Sequence, residues 1–327
     1  MKLRFSALIL ICLICIGVAF PCGIAVPPGQ SMLLTQEDVI IVWDKEHGIE
    51  HFIRKAVFKG DQKSFGFIVP TPSIPNLEEV DSDVYDIVAY AAMPHPIKFS
   101  CSLSDSEAGA AAAVSLISEQ QVGKYKAAIL KATDGNALND WLKKNGYASR
   151  PALTTWLDGY ARKNWIFTAF KFTGDGEDHT TNAEIDSEAI RLSFKTDRPH
   201  YPYSRPGDAW QAGVRQPMKV YFISSGPVAA QYEGTNKPWE AEETFSGNMR
   251  EDAVDTLSRS LKLDIDDMPK HPFLTAFDNG KSSGMYSNDL YFANTFRISW
   301  ITIAVVVAIA SALIYAWRRR KPAAKNI

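Results

Sequence analysis

The chain has 327 residues, 46% of them hydrophobic, 11% aromatic and 22% charged, with a formal net charge of −2. That is enough apolar material for one large core or two smaller ones, and it excludes a disordered stalk. Without Lys2, Arg4 and the five cations after residue 317, the stretch 20–317 carries −9, which speaks against nucleic acid or an anionic membrane surface as main partners.

Lys2 and Arg4 precede an apolar run, 7–18, that is too short for a comfortable membrane span. Gly17 and Ala19 supply the small residues of a cleavage site, so 1–19 reads as a secretory signal peptide; an uncleaved second membrane helix is the other reading. Cys12 and Cys15 leave with a cleaved signal. Cys22 and Cys101 remain as an even pair in an oxidising compartment and are expected to form one disulfide, against the alternative of two free thiols or half a metal site.

Residues 39–43 (VIIVW) form a continuous apolar run, expected as a buried strand. After a turn at 44–48, residues 49–58 alternate, with Ile49, His51, Ile53 and Lys55 on one face and Glu50, Phe52, Arg54 and Ala56 on the other, which predicts a hairpin. Residues 65–69 give a third strand, closed by Pro70, Pro72 and Pro75. Val80, Val84, Ile87, Val88 and Ala91 recur at three and four, predicting a helix over 77–92. An Ala-rich tract within 102–118 reads as a loose helix or loop, and a division into two subdomains would fall near 102–120. Residues 122–131 alternate as a strand. Helices follow at 137–145, with Gly146 placed for a left-handed cap, and at 151–163, with Pro151 suited to the first turn. Strands are expected at 165–172, 190–194, 218–223 and 228–232, and an amphipathic helix at 248–263 burying Ala253, Leu257 and Leu261. Mixed elements without regular βαβ alternation make the class α+β, with mainly antiparallel strands and several helices.

Ile298 to Trp317 holds no charge, and Arg318, Arg319, Arg320 and Lys321 follow at once. Twenty helical residues span roughly 30 Å, a bilayer core. The basic cluster predicts a cytoplasmic tail at 318–327 and an extracytoplasmic domain at 20–277, joined to the membrane helix by a linker at 278–297.

Several segments in this order carry a resemblance: Cys22-Gly23, IIVWD (40–44) with GIEHFIRKAVFKGD (48–61), FGFIVPTPSIP (65–75), VGKYKAAILKA (122–132) before ALNDWLKKNGY (137–147), and WIFTAFKF (165–172) before IRLSFKTDRPHYPY (190–203). Together, over roughly 22–232, the chain resembles a bacterial family known as domain of unknown function 2330. The resemblance implies an exported bacterial domain, often with a C-terminal membrane helix and with no assigned activity, so no catalytic residue carries over.

Two motifs invite a catalytic reading. His47-Gly48-Ile49-Glu50-His51 matches H-x-x-E-H, an inverted zinc-protease pattern. That chemistry needs a helix, whereas the flanking residues alternate as a strand, which would put Glu50 and His51 on opposite faces. The expectation is therefore a hairpin whose polar residues face solvent or a neighbouring strand. Gly280-Lys281-Ser282-Ser283-Gly284 matches a nucleophile elbow, but no His follows it, and it reads as a tether. The acidic groups Asp175, Glu177 and Asp178, and Asp264, Asp266 and Asp267, are weak candidates for a hard cation. No cofactor is implied. The aromatic stretch His200, Tyr201 and Tyr203, with Trp210, is the candidate interaction surface. The resulting expectation is a single-pass protein of the cell membrane with a non-catalytic module for binding, adhesion or envelope assembly. Its partners are the membrane through Ile298 to Trp317 and an envelope protein or polymer. The alternative is an envelope-acting hydrolase or peptidase whose His and acidic groups come from distant segments.

Overall fold

The structure is a computed structural model that describes residues 32–60, 65–93, 116–147, 151–172, 183–207, 217–235, 237–280, 288–295 and 307–315. It opens with a long hairpin, β1 (Met32–Asp44) and β2 (Ile49–Gly60). After β3 (Gly66–Thr71), β4 (Asn76–Val80) and α1 (Val84–Ala91) comes a second hairpin, β5 (Leu116–Val122) and β6 (Tyr125–Lys131). Two helices, α2 (Gly135–Lys144) and α3 (Pro151–Ala161), precede β7 (Ile166–Phe172), β8 (Ala183–Asp186), β9 (Ala189–Lys195) and β10 (His200–Tyr201). The chain continues through β11 (Met218–Ser224), β12 (Val228–Tyr232), β13 (Glu242–Asn248), α4 (Glu251–Ser260) and a 3-10 turn at Ile265–Asp267. It closes with β14 (Phe273–Asp278), β15 (Leu290–Asn294) and helix α5 (307–315).

The largest sheet has eight strands in the order β13-β14-β11-β1-β2-β9-β4, with β8 also pairing β2. A four-stranded sheet runs β3-β7-β6-β5 and a three-stranded one β10-β15-β12. Among the described residues only β1 and β11 pair in parallel. The class is α+β with mostly antiparallel sheets.

Three clusters of buried side chains define four layers. The inner face of the large sheet (Val39, Ile41, Phe52, Phe58, Leu192) packs on Phe67, Tyr125, Phe170 and Phe172 of the four-stranded sheet and on Leu290 and Phe292 of the small one. Its outer face (Ile40, Val42, Ile53) is covered by α1 and α4 through Val84, Val88, Ala253 and Leu257. The outer face of the four-stranded sheet (Ala128, Leu130, Phe167, Ala169) is covered by α2 and α3 through Leu138, Leu142, Leu153 and Leu157. A strand covered on both faces has no need to alternate, which is why 39–43 is apolar throughout.

The local rules hold at several sites. Asp134 caps α2 by accepting from the backbone N–H of Asn136 and Ala137, satisfying donors a helix start otherwise leaves open. Gly146 ends that helix at φ +75°, where a side chain would be strained. Pro70 lies inside β3 rather than closing it, which an edge strand tolerates because its outer N–H pairs with nothing.

Other boundaries move. Residues 77–80 are strand, not helix, because β4 completes the edge of the large sheet against β9. Val80, Val84, Val88 and Ala91 nevertheless share the outer core, so the spacing was produced by one buried face reached from a strand and a helix. The strand expected at 122–131 is broken by Gly123, at φ +53°, into the turn between β5 and β6. Asn248 ends β13, so α4 begins three residues later than expected. The linker expected at 278–297 contains β15, whose Leu290 and Phe292 are buried and whose following Thr295 N–H donates to Pro227 O at 2.8 Å. Apolar alternation over five residues placed that strand in the core. Residues 307–315 are helical, with Val307, Ile309, Leu313 and Ile314 exposed. Among the described residues no helix is long and apolar enough to cross a membrane. The signal segment, Cys22, Cys101, the Ala-rich tract, the 281–284 motif and the basic tail lie outside the described residues.

Candidate functional site

Among the described residues, the first hairpin turn gathers a group of side chains able to hold a metal ion. Asp44 ends β1, and its Oδ1 accepts from the backbone N–H of Glu46 and of His47, each at 3.0 Å. Gly48 at φ +64° then returns the chain into β2. This closure holds His47 Nδ1 2.5 Å from Asp44 Oδ2. Asp267 reaches the same corner from the 3-10 turn after α4. One ligand atom each from Asp44, His47 and Asp267 lie within 4.8 Å of one another. Asp44 is buried, Asp267 half-buried and His47 exposed.

The turn carrying Asp267 is fixed by the packing of Leu261, Leu263 and Met268 under the outer face of the large sheet. Arg191 of β9 adds to this by donating to the carbonyls of Leu261 and Lys262 at the end of α4, and it pairs with Glu78 at 3.0 Å. A cation suits the carbonyl end of a helix. The corner is electrostatically tense. The hydrogen bond to Asp44, and then its charge, raise the pKa of His47. Burial raises that of Asp267, reinforced by the carboxylates of Asp264 and Asp44.

His51 stands on the same face of the hairpin. It pairs with Val42 across the strands and is diagonal to Asp44. It is 4% exposed, and its Nδ1 lies 2.8 Å from Ser193 Oγ. Its Nε2 has no hydrogen-bond partner among the described residues. Burial, with Arg191 nearby, lowers its pKa to about 4.

Glu50 points through the sheet to the inner layer. It is fully buried, and its Oε2 accepts from the backbone N–H of His200 at 2.9 Å and lies 3.3 Å from His200 Nδ1. The three polar residues of H-x-x-E-H are therefore divided between two faces, and Glu50 has no route to a water held at His47. Of the two environments expected for the hairpin's polar residues, solvent or a neighbouring strand, His51 takes the second, against Ser193 of β9, and Glu50, His51 and Arg54 are all buried because both faces of β2 are covered. Arg54 bonds to Glu37 at 2.5 Å and lies over the Phe67 ring at 4.6 Å. The two cavities beside Arg54 measure about 10 Å3 each, room for a single water.

The aromatic stretch is core rather than surface. His200, Tyr201 and Tyr203 are 6%, 2% and 2% exposed. His200 packs edge-on to Trp165, Tyr201 on Phe52, and Tyr203 on Trp239. The strand that carries His200 is pinned between β15 and Glu50, which turns the rings inward. Trp210 lies outside the described residues. Just beyond, Tyr160 donates to Asp289 at 2.7 Å and lies 2.8 Å from Ser204 Oγ, while Trp156 Nε1 donates to Ser204 Oγ at 3.1 Å. This network ties α3 to the segment before β15. Asp264 and Asp266 are exposed and do not join the corner; Asp175, Glu177 and Asp178 lie outside the described residues. Sequence reasoning found His47 and Asp267 separately and missed Asp44. The available signal was its place three residues before His47 in a turn, where Asp commonly closes on its own backbone.

Residues 16–249 match a family described as an uncharacterized protein conserved in bacteria, DUF2330. No curated protein shows significant similarity to the chain. Among solved structures, the crystal structure of baculovirus P35 is similar at 10% identity and a TM-score of 0.38, over 84% of this chain and 100% of that one. A likeness at that level carries no argument about fold or function.

Proposed function

The chain belongs to the DUF2330 family, and from that premise we propose that it is an exported domain, held at the cell membrane by one C-terminal helix, with a non-catalytic role in binding or envelope assembly. The observation that carries this reading is α5, where Val307, Ile309, Leu313 and Ile314 are between 54% and 66% exposed. A helix that turns apolar side chains outward on every side suits lipid rather than water. The uncharged stretch around it and the four cations at 318–321 give the orientation, tail inside and domain outside. The non-catalytic part is supported by the pairing of Arg54 with Glu37 and by Ser204, which is bonded into the Tyr160–Asp289 network.

The test is the behaviour of the full chain in bacterial spheroplasts. The reading expects the protein in the membrane fraction, resistant to carbonate extraction, with its domain digested by added protease. Deleting 298–327 should release it. A domain protected from protease, or a full chain recovered in the soluble fraction, overturns the reading.

A further inference from the structure

We propose that Asp44, His47 and Asp267 form a binding site for a divalent first-row transition ion, best matched by Zn2+. Three ligand atoms from three side chains already lie within 4.8 Å of one another. One imidazole and two carboxylates form a mixed nitrogen and oxygen set. It suits a borderline ion such as Zn2+, whereas Ca2+ takes six to eight oxygens. Zn2+ bound by three protein ligands keeps a fourth position for water or for a donor from a partner.

The site is built rather than incidental. Asp44 is 5% exposed and fixed by two backbone N–H bonds, so its Oδ2 is presented in one direction. Asp267 is delivered by a turn anchored in the outer core. A second observation comes from outside the triplet. His51 is 96% buried by its 4% exposure, stands diagonal to Asp44 on the same face, and keeps an Nε2 with no partner among the described residues. Two neighbouring cations are engaged elsewhere: Arg191 with two carbonyls and Glu78, Lys270 with Glu46 at 3.2 Å. The proposal does not depend on which side of a membrane the domain occupies.

The experiment is calorimetric titration of the full, untagged chain with Zn2+, with Ca2+ as competitor. It expects one equivalent of Zn2+ that excess Ca2+ does not displace. Loss of a ligand in His47→Gln or in Asp267→Asn should each weaken binding by roughly tenfold or more. Asp266→Asn, on an exposed neighbour outside the triplet, should leave binding unchanged. The two ligand variants alter an exposed and a half-buried side chain on separate segments, and an unchanged denaturation midpoint certifies each as folded. No Zn2+ binding, equal binding in both ligand variants, or displacement by Ca2+ overturns the proposal.

Discussion

The two faces of β2 put the same residue types to opposite uses. On the inner face Glu50 and Arg54 are sealed between two sheets, Arg54 held by Glu37 of the adjacent strand and Glu50 by the backbone of His200 from a distant segment. On the outer face, at the turn of the hairpin, Asp44, His47 and Asp267 converge at one corner. The contrast teaches that burial alone does not mark a functional group. What separates the faces is that the inner charges pair within the buried layers, whereas the outer ligand-type groups gather at one corner.

The largest test of this contrast is on the inner face. Arg54→Met leaves the Glu37 carboxylate buried and unpaired, which costs about 3–5 kcal/mol. The Glu37→Met, Arg54→Met double variant should recover much of that loss in denaturant unfolding followed by tryptophan fluorescence. A single variant as stable as the parent would erase the distinction between the faces.

Next comes the pH response of His51. Its folded pKa, about 4, lies below the 6.5 of the unfolded chain, so the unfolded state binds the extra proton between those values. The stability this contributes is complete above pH 6.5 and is lost as pH falls from 6.5 towards 4, amounting to about 3 kcal/mol. The denaturation midpoint of His51→Gln should vary less than the parent's across that window. Equal slopes would mean that His51 is not the buried neutral ring described here.

A smaller effect is expected at Gly48. A Cβ there would meet only Thr196 O at 3.5 Å, an ordinary contact, so the cost of Gly48→Ala comes from φ +64° alone. That is about 1–2 kcal/mol, read as a shift in midpoint. The smallest is Lys270→Ala. Its ion pair with Glu46 is 67% exposed on both sides, and removing it should cost under about 0.5 kcal/mol.

Much of the architecture was legible in the sequence because burial leaves a period. The first hairpin, α2 with its glycine stop, α3, β7, β9, β11 and β12 all follow from apolar spacing and turn residues. Val80 misled because the strand it ends and the helix after it bury side chains in one outer core. Leu290 and Phe292 were hidden by the Gly, Ser and Asn content around them. The corner at Asp44 was least legible. Its members come from residues 44, 47 and 267, and nothing in a linear reading links a hairpin turn to a 3-10 turn more than two hundred residues on. The aromatic stretch at 200–203 was read as a surface because its composition is shared by core and interface alike; only the pairing of β10 with β15 decides between them.

The parallel pairing of β1 with β11 has a kinetic consequence. β1 gains one neighbour at once from β2, but its other edge stays open until residues 218–224 arrive. Until then Val39, Ile40, Ile41 and Val42 present unpaired backbone along an apolar strand, the geometry that templates wrong partners. Contacts separated by that much chain close slowly. A chain halted near residue 217 therefore exposes an adhesive edge. The yield of soluble folded protein should hinge on how quickly synthesis carries β11 into place, or on a chaperone that covers β1 until it comes.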